Sequence, residues 1–263
     1  MARLLPRRSR IGVVELHGVI GTTVHPGAYF QLLDRLERAP RVGCVVLDID
    51  SPGGSVAASE ALYLKVARLR QKKPVVAFIR GTGASGSYMV ACAATRVIAT
   101  PSAIVGSIGV ISLRPVVAQL MERLGISVSV SKSGPLKDMG AFYRPPTQEE
   151  EQKLQSLINE LFGTFVQRVA EARHVEMDQA RRSATGEVYA AGRARELGLV
   201  DELGDFDAAL DMAASLGRVP RRVAYLRPPR SMRERLLERL GTWAMEGLWE
   251  DTGLPTTHGL WYL

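Results

Sequence analysis

Ser85 stands in the run Gly83-Ala84-Ser85-Gly86-Ser87, between a β-type apolar stretch and a helix-type run of small apolar residues. A serine at such a strand-to-helix turn projects its Oγ at a helix N-terminus, where free N–H groups and the positive dipole end favour developing negative charge. The same position also suits a serine that only caps the helix, so nucleophile and N-cap both fit this motif. A second run, Ser51-Pro52-Gly53-Gly54, follows the apolar stretch 42–49. Glycines there let the backbone turn sharply and bring N–H groups close to a ligand, as an oxyanion hole requires; an ordinary tight turn uses the same residues.

A serine nucleophile needs a base. The histidines are His17, His25, His174 and His258, and none lies between Ser85 and residue 173. His17 alternates within a strand-type run and reads as structural. His25 precedes Pro26 in a loop, and His174 ends a helix-type run, where its charge suits the C-terminal dipole. His258 lies in the tail and leaves an α/β-hydrolase arrangement as one alternative. The G-x-S-x-G elbow is not matched, because Ser87 stands where its last glycine belongs. Lysine is the other base, usable when burial lowers its proton affinity. Positive charge here is almost wholly arginine, with only six lysines. One of these, Lys137, falls in the mostly small or apolar run Ser133-Gly134-Pro135-Leu136-Lys137-Asp138-Met139-Gly140. It is either a general base or a solvated loop lysine.

The elements that must position these groups follow from periodicity. Residues 11–20 alternate as a strand, 27–38 form an amphipathic helix, and 42–49 form a strand buried on both faces. A helix over 56–70 leads to a strand over 75–79, which ends in a glycine-rich turn at Gly81-Thr82-Gly83. The helix opened by Ser85 runs to about Thr95. Strands are expected at 97–99 and 128–131, with a helix over 115–124 between them. A long helix starts at Thr147 with Glu150 completing a capping box, and buries Leu154, Leu157, Leu161, Phe165 and Val169. A further helix lies near 190–197. Strands alternating with helices imply a mainly parallel α/β sheet.

Taken together, SPGG (51–54), GASGSYM (83–89), IVGSIGVI (104–111), KSGPLKDMG (132–140) and GEVYAAGRARELGLVDELG (186–204) resemble signal peptide peptidase A and its relatives. These belong to the Clp-protease/crotonase superfamily, and the resemblance runs from about residue 11 to 215. It implies that fold, with repeated ββα/βαβ units. It also implies Ser85 as nucleophile, Lys137 as general base and Ser107 as the residue that hydrogen-bonds the base, with Gly53 and Gly86 as oxyanion-hole donors. Gly54 joins them from its place in the turn. Ser87 departs from the family, whose members usually carry a second glycine there. The substrates implied are extended apolar peptides, from signal-peptide remnants or from unfolded or membrane-derived protein. The resemblance further implies a homo-oligomer, expected to be a ring. A crotonase-type acyl-coenzyme A enzyme and a catalytically idle oligomeric scaffold are the alternatives.

Composition narrows the rest. The apolar fraction of 46% and charged fraction of 23% over 263 residues are those of a globular α/β protein. The formal charge of +7 is scattered and lacks an aromatic-rich basic stretch, which argues against nucleic acid. Cys44 and Cys92 sit in apolar runs and read as free buried thiols, without a disulfide or metal site. No cofactor is expected. No apolar run reaches the ~20 residues of a transmembrane helix, so a cytoplasmic chain without an anchor is expected. Residues 1–10 read as a basic tail, 11–226 as the peptidase domain and 227–263 as an appendage. In that appendage Ser231 caps a helix with a stripe of Met232, Leu236, Leu240, Trp243 and Ala244, followed by an apolar end. It is expected to pack on the core or a neighbouring subunit, with peripheral membrane contact or a place in the substrate groove as alternatives.

Overall fold

A computed structural model describes residues 10–228. The tail helix expected from Ser231 and most of the basic N-terminal segment lie outside the described residues. Strand β1 (Arg10–His17) is followed by α1 (Pro26–Arg38), β2 (Val42–Ser51), α2 (Val56–Arg70), β3 (Val75–Ala84) and α3 (Gly86–Cys92). Then come β4 (Arg96–Ala99), β5 (Ile104–Gly106), α4 (Ala118–Arg123), α5 (Gln148–Arg173) and α6 (Met177–Arg182). The order closes with β6 (Val188–Ala190), α7 (Ala191–Glu196), β7 (Glu202–Leu203), α8 (Phe206–Gly217) and β8 (Val223–Leu226).

These strands form one sheet in the order β6-β5-β3-β2-β1-β8, with β4 paired to β3 and β7 paired to β4. Every pairing is parallel except that of β5 with β6. The two-residue period of a strand explains the layering. On β2, Val45, Leu47 and Ile49 enter the larger core with α1, α2, α3 and α5. Cys44 and Val46 point the other way, into a smaller core covered by α8. Burial on both faces makes the run continuously apolar.

Four expectations are corrected. Gly81-Thr82-Gly83 continues β3 instead of turning, because Thr82–Ala84 pairs with β5 and the Asp50 carboxylate accepts the Thr82 N–H at 2.9 Å. Residues 128–131 form no strand: Val128 and Val130 stay exposed and no neighbouring strand pairs with them. The helix expected over 115–124 is confined to α4, which buries none of its residues. The α5 stripe is buried at Phe165 and Val169, whereas Leu157 is exposed and Leu154 and Leu161 are half-buried. At the start of α5 the capping box forms as expected, with the Thr147 Oγ accepting from the Glu150 N–H and the Glu150 carboxylate from the Thr147 N–H. Among the described residues no helix is long and apolar enough to cross a membrane.

Candidate active site

The C-terminal ends of β2 and β3 deliver the two loops that meet at Ser85. A register shift between Ile49 and Ser51 sets Ser51 opposite Gly83, bringing the Pro-Gly-Gly turn beside the β3–α3 junction. At that junction Ser85 has φ 54° and ψ −127°, a strained backbone for a residue with a side chain. Its side chain makes no capping hydrogen bond to α3, so Oγ is not occupied as an N-cap. Its N–H is held instead by the Gly106 carbonyl at 2.8 Å. Ser85 is half-buried at the mouth of a wholly buried α3.

Gly53 and Gly86 approach so closely that a Cβ on Gly53 would lie 2.7 Å from the Gly86 nitrogen and 2.9 Å from the Ser85 Cβ. Only glycine permits this approach, and at Gly53 the φ of 98° also favours glycine. The Gly53 N–H is engaged locally, donating to the Ser51 Oγ at 3.1 Å. Gly54 is exposed, and Gly86 opens a helix, so its N–H has no acceptor within that helix. Gly53, Gly54, Ser85 and Gly86 thus converge. Ser107 follows the β3–β5 pairing of Ala84 with Gly106, is half-buried with φ 48°, and donates its N–H to the Glu187 carbonyl at 2.6 Å.

Two devices that hold this arrangement were not legible in the sequence. The Ile20 N–H donates to the Gly53 carbonyl at 2.8 Å, and the Ile20 carbonyl accepts the Ser55 N–H at 2.9 Å. The loop after β1 therefore clamps the glycine turn from both sides, and a Cβ on Gly54 would collide with the Ile20 carbonyl oxygen. The second device is Ser87, fully buried, whose hydroxyl lies 2.6 Å from the Ser51 carbonyl and 2.8 Å from that of Ala84. One hydroxyl proton shared between those carbonyls ties the Ser85 turn to the glycine turn. Beneath them the Tyr88 hydroxyl donates to the Leu199 carbonyl at 2.8 Å, and burial pushes the Cys92 thiol up to about 11.

Lys137 is placed differently. It lies on the segment 109–146, exposed, with its N–H donating to the Gly134 carbonyl at 3.2 Å. Among the described residues no hydrogen bond or ion pair joins its ammonium to Ser85 or Ser107. The neighbouring Asp138 is fully used: Arg144 and Lys132, with Tyr143, bond to its carboxylate and hold it well below the usual carboxylate range. Arg144 also grips Glu150 with two bonds, of 2.8 and 2.5 Å. That pairing and the Thr147 N–H hold the Glu150 carboxyl down at about 2. The Lys137 loop is thereby fastened to the start of α5.

Two histidines take structural places, with His17 Nε2 3.7 Å from the buried Asp48 carboxylate and His174 ending α5 in a left-handed conformation. His25 is exposed at the start of α1, and His258 lies outside the described residues. Cys44 and Cys92 are free and buried. Among the described residues no cluster of His, Cys, Asp or Glu has the makings of a metal site.

Residues 67–219, which include Ser85, Ser107 and Lys137, match the family described as Peptidase family S49. "Putative protease MJ0651" of Methanocaldococcus jannaschii is 44% identical over 191 residues, covering 73% of this chain and 61% of that protein. Protease 4 of Salmonella typhi is 35% identical over 181 residues, covering 68% of this chain and 29% of that protein. The chain therefore spans about three fifths of the first relative's length and less than a third of the second's. A solved structure of the 1510-N membrane-bound stomatin-specific protease, a lysine-to-alanine mutant in complex with a substrate peptide, shares the fold. It has a TM-score of 0.53 at 16% identity, over 89% of this chain and 98% of that one. With more than half its length matched, including the β3–α3 junction that carries Ser85, the chain belongs to peptidase family S49.

Proposed function

We propose that this peptidase is a serine endopeptidase in which Ser85 is the nucleophile and Lys137 the general base, with Ser107 orienting the base. The Ser85 Oγ attacks the scissile carbonyl and passes its proton to the Lys137 amine. Gly86 supplies one N–H for the oxyanion of the tetrahedral intermediate and the Gly53-Gly54 turn the other, from Gly54, because the Gly53 N–H is donated to the Ser51 Oγ. Collapse expels the peptide amine, which takes the proton, and water then hydrolyses the acyl-enzyme by the same route. The observation that carries this reading is the strained, uncapped Ser85 set against Gly53 and Gly86. Strain of that kind persists where surrounding structure enforces it, as at active sites.

The substrate class is extended apolar peptide, from signal-peptide remnants or from unfolded or membrane-derived protein. It is supported by family membership and by the peptide-bound fold relative. The protein acts as a homo-oligomeric ring in which a neighbour's 109–146 segment completes the dyad. Supporting this, the segment leaves Ile111 80% and Leu113 88% exposed, with Leu120, Leu124, Ile126 and Phe142 also uncovered, a surface that a second copy would bury. A serine-directed fluorophosphonate tests the chemistry. Covalent labelling of the parent at Ser85 is expected, with none in Ser85→Ala and almost none in Lys137→Arg, because a guanidinium does not give up its proton. An unlabelled but well-folded parent would favour an acyl-coenzyme A enzyme or an idle scaffold.

A further inference from the structure

Ser59 lies one turn into α2, the helix that follows the glycine turn, and is 1% exposed. Its N–H donates to the Ser55 carbonyl at 2.9 Å, as the helix requires. Its Oγ has no hydrogen-bond partner, the one buried side-chain oxygen in that condition among the described residues. The contrast with its neighbours is sharp, since the buried hydroxyls of Ser51 and Ser87 are both bonded within the same site.

Where that hydroxyl sits is informative. A Cβ added to Gly86 would collide with the Ser59 Oγ and come within 2.7 Å of the Ser59 Cβ. The same point is 3.6 Å from the Gly54 nitrogen. The hydroxyl therefore occupies the space that the missing Gly86 side chain leaves, between the start of α3 and the glycine turn. It adjoins Gly86 with Gly54 nearby, the two residues whose amides would receive the oxyanion.

We propose that Ser59 is a positioning residue of the oxyanion hole: it seats the Gly86 peptide against the Gly54 turn, and its hydroxyl dipole turns toward the negative charge that develops there. The inference rests on the reading of Ser85 as nucleophile. In the resting enzyme the hydroxyl gains nothing, and an alanine would fill nearly the same space without an unpaired polar atom. A buried dipole with no fixed partner rotates freely and is weakly screened, so it responds when charge appears beside it. Stabilisation present only once the oxyanion forms raises kcat and leaves substrate binding alone. Ser59 makes no covalent bond and gives up no proton.

The test compares the full-length parent with Ser59→Ala, using an apolar fluorogenic peptide and fluorophosphonate labelling at Ser85. Expected are drops of about tenfold in kcat and labelling rate, with KM within about twofold of the parent. The melting temperature should be equal or a few degrees higher. A lower melting temperature with kcat and labelling unchanged would make Ser59 a packing residue and overturn the proposal. Equal kcat in a variant of equal stability would do the same. Ser59→Gly, which also removes the Cβ, must show the same loss of kcat, so a folding defect in one variant leaves the other decisive. If the parent itself is not labelled at Ser85, the nucleophile reading falls and this proposal falls with it, whereas a labelled parent and an equally labelled Ser59→Ala sink this proposal alone.

Discussion

Around Ser85 the turns are tied down by bonds from several directions: the Gly106 carbonyl holds its N–H, Ser87 links Ser51 to Ala84, and Ile20 grips the glycine turn. In the segment from 109 to 146 the side-chain polar contacts centre on one clamp, Asp138 with Lys132, Arg144 and Glu150, and most of its large apolar side chains are exposed. Apart from the Ser59 hydroxyl, the first region pairs its buried side-chain polar groups. The second keeps its local shape through charge while leaving unburied the surface that would fix its place. A nucleophile gains from a rigid seat built before substrate arrives. A base carried on an uncovered segment has its position decided by whatever covers that segment.

The comparison breaks first at Gly54. Gly54→Ala forces a Cβ into the Ile20 carbonyl, opening the clamp on the glycine turn. Peptide hydrolysis should fall at least about a hundredfold, the scale of losing one oxyanion donor. Circular dichroism should still report the parent's helix content. Activity above a tenth of the parent's would mean that the rigid seat is dispensable.

A smaller effect sharpens the other side. Ser85→Ala and Lys137→Ala subunits, each inactive, should regain about a quarter of parent activity when mixed in equal amounts and reassembled, since random neighbours restore one complete pair in four. No recovery in mixed oligomers verified by mass would place the lysine and serine of each site on a single chain.

The smallest effect concerns the clamp. Because Glu150 and Asp138 are held below the ordinary carboxylate range, the clamp contributes stability above about pH 4, fading as pH falls towards 2. Glu150→Gln should therefore melt lower than the parent at pH 7, with the gap narrowing between pH 5 and pH 2. A gap that stays constant across that range would show that the carboxylate's charge is not what fastens the loop.

How much of this was legible in the sequence follows the same division. Buried strands such as β2 announce themselves by continuous apolar runs, and the capping box of α5 by Thr147 and Glu150. Gly53 was legible because its positive φ favours glycine and Gly86 because no side chain fits there. Ser85 stood out by its flanking glycines and not by its conformation, which is strained for any residue with a side chain. Val128 and Val130 misled, since alternation predicts a strand only where a neighbouring edge can pair with it. Leu157 misled for a related reason: a helical stripe says that a face wants cover without saying what covers it. The Ile20 clamp acts through backbone atoms, which any residue supplies, and so left no signature. Ser87 was visible as a departure from the family pattern, but its two carbonyl partners required the folded loops.

The placement of β8 carries a consequence for the order of folding. β1 lies between β2 and β8, with Ile11 opposite Val223 and Val14 opposite Leu226. Parallel pairing across such a sequence separation is slow, because loop-closure entropy is lost before the contacts form. On the ribosome, β1 must keep one edge bare until the chain has been made through residues 223–226. During that interval an apolar strand with free backbone groups is open to other nascent chains, so correct folding depends on residues 223–226 arriving before a competitor does.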